Sequence, residues 1–168
     1  MSLLVKKIER AKWRENEIAD GADVPADAIT NCLRTKQDAL SVWEIRSQSD
    51  MHDAVLAIVA QSERKNLEAI DIVLLGKSAV ENARLCIKDE PGITVVEHLR
   101  NTHRDIVELR FSSLGRIADL IVEEFRKKQV YRFTVGDLKK ILNEAIEKGI
   151  LDKHRLQERV RIALNNGE

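Results

Sequence analysis

"ITVVEHLRNTHRD", residues 93–105, is the stretch on which the architecture of the sheet turns. Ile93, Thr94, Val95 and Val96 are all β-branched, which restricts χ1 and favours a strand. Thr94-x-x-Glu97 is also a capping box, the mark of a helix start. A hairpin of 84–88 with 93–97 around Pro91-Gly92 is a third solution. If 93–97 is a strand parallel to its upstream neighbour, the polar run that follows lies at the carboxyl edge of the sheet. Ligands bind at that edge in open parallel sheets.

The upstream neighbour is "AIDIVLL", 69–75, a short and nearly continuous apolar run of the kind found in buried strands. Before it, "SDMHDAVLAIVAQSERKNL" (49–67) opens on Ser-Asp and spaces Val55, Ile58 and Val59 helically. "ALSVWEI" (39–45) is rich in β-formers. Strand, helix, strand predicts a βαβ unit, with the right-handed crossover such units adopt. Residues 29–35 read as a short helix or the first arm of a hairpin, and 3–13 as extended chain with a loop at 19–28.

Downstream, Ile106, Val107, Leu109, Phe111, Leu114, Ile117, Ala118, Ile121, Val122 and Phe125 recur with a period near 3.6. This stripe predicts one long central helix over about 102–128. "VYRF" (130–133) reads as an extended link. Thr134-x-x-Asp137 then opens a helix ended by Gly149, and Asp152 is placed to cap a last helix carrying Leu156, Val160 and Leu164. The expected fold is α/β or α+β and helix-rich, with a small mixed or parallel sheet. Residues 1–132 form the core and 133–168 a C-terminal helical pair packed on the same domain.

Gly76-Lys77-Ser78 follows the 69–75 strand and invites comparison with a phosphate-binding loop. That loop needs a glycine five positions earlier and a backbone free to wrap around phosphate. Here Asp71 holds the position and Ile72–Leu75 are strand-formers, so the motif fails on spacing and on charge. Gly76 reads as a turn and Ser78 as the cap of the next helix, through Ser78-x-x-Glu81.

The richest polar run is "HLRNTHRD", 98–105. His98 and His103 are about 140° apart on a helix, which is poor geometry for a shared metal. Arg100 and Arg104 have forked guanidinium groups suited to phosphate or carboxylate, and histidine titrates near neutrality. On a parallel sheet this run and the Gly-Lys-Ser turn converge. The candidate anion site is therefore Lys77, Ser78, His98, Arg100, His103 and Arg104, with no metal and no cofactor.

Composition narrows the classes of function. Lys plus Arg and Asp plus Glu each number 28, for a net charge of zero, which argues against non-specific nucleic-acid binding. Aromatic residues are 4%, leaving few rings for stacking bases. Two cysteines, Cys32 and Cys86, form no disulfide framework or zinc motif, and Cys32 reads as a small buried hydrophobe. Trp13 and Trp43 read as core or sheet anchors. No apolar run approaches the roughly 20 residues of a membrane span, so the expected place is the cytoplasm. The composition and motifs point to a non-catalytic binding or regulatory protein with a protein partner and a possible homo-oligomeric state. The alternative is a small phosphate- or nucleotide-processing enzyme using the cluster at 98–104.

Overall fold

A computed structural model describes residues 2–19, 21–61 and 65–165. Six strands, β1 (Leu3–Ile8), β2 (Leu40–Ile45), β3 (Ile70–Gly76), β4 (Cys86–Asp89), β5 (His103–Val107) and β6 (Val130–Phe133), form one sheet. Its order is β4-β5-β2-β1-β3-β6, and every neighbouring pair is antiparallel. Among the described residues seven helices flank it: α1 (Glu15–Ala19), α2 (Ala26–Cys32), α3 (Met51–Val59), α4 (Lys77–Asn82), α5 (Phe111–Arg126), α6 (Val135–Glu147) and α7 (Glu158–Asn165).

The mixed or parallel sheet is thus corrected to a wholly antiparallel one, and the cause lies in β1. Leu3–Ile8 pairs with β3 along its whole length and with β2 through Leu3, Leu4 and Val5. The strand–helix–strand run from β2 through α3 to β3 is present and its strands point the same way. The N-terminal strand occupies the slot between them, so they never touch as a parallel pair.

Residues 93–97 are not a strand of the sheet. Thr94 and Val96 are fully buried, and Val95 N–H donates to the carbonyl of Ala60 at the end of α3. Gln61 and Thr94 make an isolated bridge. Val95 N–H and the Thr94 hydroxyl both donate to the Ala60 carbonyl just past α3, and Thr94, Val95 and Val96 plug the core beneath it. Glu97–Thr102 is a 3-10 turn whose buried residue is Leu99.

The long helix is corrected as well. Residues 103–107 form β5, Glu108 turns the chain at φ 58°, and α5 begins only at Phe111. Ile106 and Leu109 are buried as the stripe requires, but Phe111 is 94% exposed. Ile106, Val107 and Leu109 fit either period, and pairing with β2 on one side and β4 on the other decides for strand. Residues 130–133 pair with β3 as an edge strand, where a link was expected.

Alternate strand positions feed two cores, one on each face. Leu4, Val42, Val73, Leu75 and Ile106 meet Trp13 and helices α1, α2, α4 and α5. Val5, Trp43, Ile45, Ile72 and Leu74 meet α3, α6 and α7. Trp13 and Cys32 are buried in the first core and Trp43 in the second, as their anchoring roles require. At α6 the Thr134 side chain accepts from Asp137 N–H, and the Asp137 carboxylate accepts from Thr134 N–H, the capping box expected there. Asp152 caps a 3-10 turn at Lys153–Arg155, and α7 starts later, at Glu158. Among the described residues, no helix is long and apolar enough to cross a membrane.

Candidate functional site

In this antiparallel sheet the carboxyl ends of β2 and β3 lie on the same edge as the amino end of β5. Lys77, just past β3, and Arg104, near the start of β5, therefore do meet. They meet on Glu44 of β2: Lys77 Nζ is 2.9 Å from Oε1 and Arg104 Nε is 2.8 Å from Oε2. Arg104 Nε is also 2.8 Å from Asp89 Oδ1, but its N–H is aligned with neither oxygen, so both contacts are ion pairs rather than directed hydrogen bonds. Ser2 Oγ donates to Glu44 Oε1 at 2.6 Å. Burial raises the Glu44 pKa, but the Ser2 and Lys77 hydrogen bonds and the charges of Arg104 and Lys77 outweigh it and hold the carboxyl below its ordinary value. The two cations are committed to stabilising one carboxylate.

The other four residues scatter. Ser78 is exposed in the first turn of α4, whose N-cap is Gly76, with no side-chain cap. Ser78 is therefore not the cap expected of it. His98 is exposed on the 3-10 turn. Arg100 Nε donates to the Thr94 carbonyl at 3.0 Å, which pins the same turn. His103 and Arg104 are consecutive on a strand and face opposite sides of the sheet. The cluster at 98–104 does not converge on a single point.

His103 alone faces an open cavity. On the α3 side of the sheet, the ends of β4, β5, β2 and β1 are left uncovered, giving a groove of about 760 Å³. Its floor is a row across the strands. Lys88 stands opposite Asp105, and Asp105 opposite Ser41. Lys7 of β1 continues the row where β1 and β2 have parted, their pairing ending at Val5 and Trp43. Lys6, on the other face of β1, borders the groove at this split, and Lys36 lines it from the β2 approach. Burial pushes the Lys6 amine down from 10.5 to about 8; the neighbouring Cys32 opposes this and Lys7 adds to it.

Ser41 Oγ donates to Asp105 Oδ1 at 3.2 Å. His103 Nδ1 is 2.7 Å from the Glu90 carbonyl, a contact that requires the proton on Nδ1, and Nε2 is 3.8 Å from Asp105 Oδ1. The imidazole is thus held by the loop on one side and turned to the carboxylate on the other. The lysines outnumber the acids of the lining, Glu90 and Asp105, by four to two.

A second cavity, about 470 Å³, lies between Arg10, Arg14, Glu15, Glu17 and Arg132. Each arginine there is already paired, Arg10 with Glu15, Arg14 with Glu17 and Arg132 with the buried Asp71. Among the described residues, no group of three or more His, Cys, Asp and Glu side chains could hold a metal ion.

Fold and site together define an α/β/α protein with a polar, lysine-rich groove on one face of an antiparallel sheet. No protein-family model, curated protein or solved structure matches the chain.

Motif reading passed over Ser41, Lys7 and Lys88, and met Asp105 only within the 98–105 run, because the four lie on four strands distant in sequence. One signal was available: Lys6-Lys7 and Lys88 interrupt runs otherwise suited to strands, where a charge marks an uncovered face.

Proposed function

We propose that this is a binding or regulatory protein without catalysis, which acts through a protein partner seated in the groove across β4, β5, β2 and β1. The observation that carries this reading is the uncovered half of one sheet face. Sheets in layered folds bury their faces against helices, and elsewhere this sheet does so on both sides. Over the groove the strands instead present Lys88, Asp105, Ser41 and Lys7, side chains suited to water or to a polar partner. Ile93, 54% exposed at the rim, adds an apolar contact of the kind that anchors interfaces. The bordering strand β4 is an unpaired edge.

The test uses the full chain and a Ser41→Trp variant, in which an indole rises from the groove floor. Both are expressed tagged in the source cells and cross-linked through lysine. The reading expects a partner retained by the wild type at least about tenfold more than by the variant, since a filled hot spot abolishes binding. Equal retention by the two proteins would sink it.

A further inference from the structure

We propose that the groove takes an extended acidic segment of the partner, with two carboxylates about four residues apart and a non-acidic residue between them. This rests on the groove being the partner site, and it names the chemistry of what enters. The argument comes from the order of charges along the floor. Lys88, Asp105, Ser41 and Lys7 lie in sequence across β4, β5, β2 and β1, so cations stand at both ends and the one floor carboxylate lies between them.

Neighbouring strands are about 4.8 Å apart, so three spacings separate Lys88 from Lys7 by about 14 Å or slightly more. An extended peptide rises about 3.3 Å per residue, and four residues cover that span. The first carboxylate meets Lys88 in exchange for its 3.5 Å contact with Glu90, and the second meets Lys7 with Lys36 beside it. Over Asp105 an acidic residue would face a like charge in a partly desolvated site, whereas a hydroxyl or amide can hydrogen-bond to it. Ser41 already donates to that carboxylate, and His103 Nε2 lies 3.8 Å from it.

Calorimetric titration with the blocked peptide acetyl-Glu-Ala-Ser-Ala-Glu-amide tests the proposal on the full chain. Binding is expected to weaken by about tenfold or more when both glutamates become glutamine, and again when serine becomes glutamate. Lys88→Glu and Lys7→Glu, each on an exposed side chain, should each weaken it similarly while far-UV circular dichroism stays unchanged. Affinity should fall steeply with salt. Equal binding of the glutamine peptide, indifference to both charge reversals, or no binding of the acidic peptide would overturn the proposal. So would displacement of the peptide by millimolar inorganic phosphate, which would mark a small-anion site. If these arms fail while Ser41→Trp still abolishes partner retention, only the acidic chemistry is wrong. If Ser41→Trp leaves retention intact, the groove itself is wrong.

Discussion

His103 on β5 stands directly opposite Trp43 on β2, its ring edge-on to the indole, with 5.0 Å between centroids and 74° between planes. Gly92 closes over this pair, and its N–H donates to the Arg100 carbonyl at 3.0 Å. The two rings and the glycine form the wall that separates the packed core from the open groove.

That packing predicts the effect of Gly92→Ala. A Cβ at this position would lie 2.4 Å from Cη2 of Trp43 and 3.0 Å from Cβ of His103. The indole is buried and the histidine contact is to a stiff atom, so neither yields cheaply. Overpacking of this kind costs about 1–3 kcal/mol. Thermal unfolding followed by calorimetry should show a melting temperature lower by several degrees, with an altered near-ultraviolet signal from Trp43. An unchanged melting temperature would mean that the loop at 90–93 moves aside freely.

The same stretch explains what could be read from the sequence. Residues 69–75 could be read as a strand because burial on both faces demands a continuous apolar run, and β3 is buried from Ile70 through Leu75. The helix at Thr134 was legible because a capping box is a local device that needs no partner. By contrast, β5 and the turn at 97–102 are decided by tertiary pairing. Val95 and Val96 are spent on the end of α3, which no window of sequence around them reveals. The meeting of Lys77 and Arg104 was expected from a parallel sheet and occurs in an antiparallel one, because both arrangements bring those chain positions to one edge. What local reading omitted was Glu44, an acid inside a strand, which answers both cations.

Glu44 supplies a pH prediction. Its folded-state pKa lies below 4.5, so the folded protein binds fewer protons at this site than the unfolded chain as pH falls toward that range. The stabilisation is therefore complete above about pH 4.5 and is lost as pH drops through the lowered folded value. Glu44→Gln keeps the shape but removes the charge from between Lys77 and Arg104. Breaking such a partly buried network costs about 1–3 kcal/mol. Denaturant unfolding should show that deficit at pH 7 and a narrowing gap between variant and wild type below about pH 4. A gap that stays constant across the acid range would show that the carboxylate charge is not what holds these strands.

Lys6 makes the opposite prediction, at alkaline pH. Its amine titrates near 8 in the folded protein against 10.5 ordinarily, because burial comes first and Lys7 adds to it, with Cys32 working the other way. A cation whose pKa is depressed by folding destabilises the folded state wherever it must be charged. The penalty is full below about pH 8 and fades as pH rises toward 10.5, where the unfolded chain also loses the proton. Lys6→Met removes it, so at pH 7 the variant should be more stable than the wild type by roughly 1–3 kcal/mol. The two stability curves should approach each other between pH 8 and 10.5. Denaturant midpoints across that range measure it, and parallel curves would show that the amine reaches water freely.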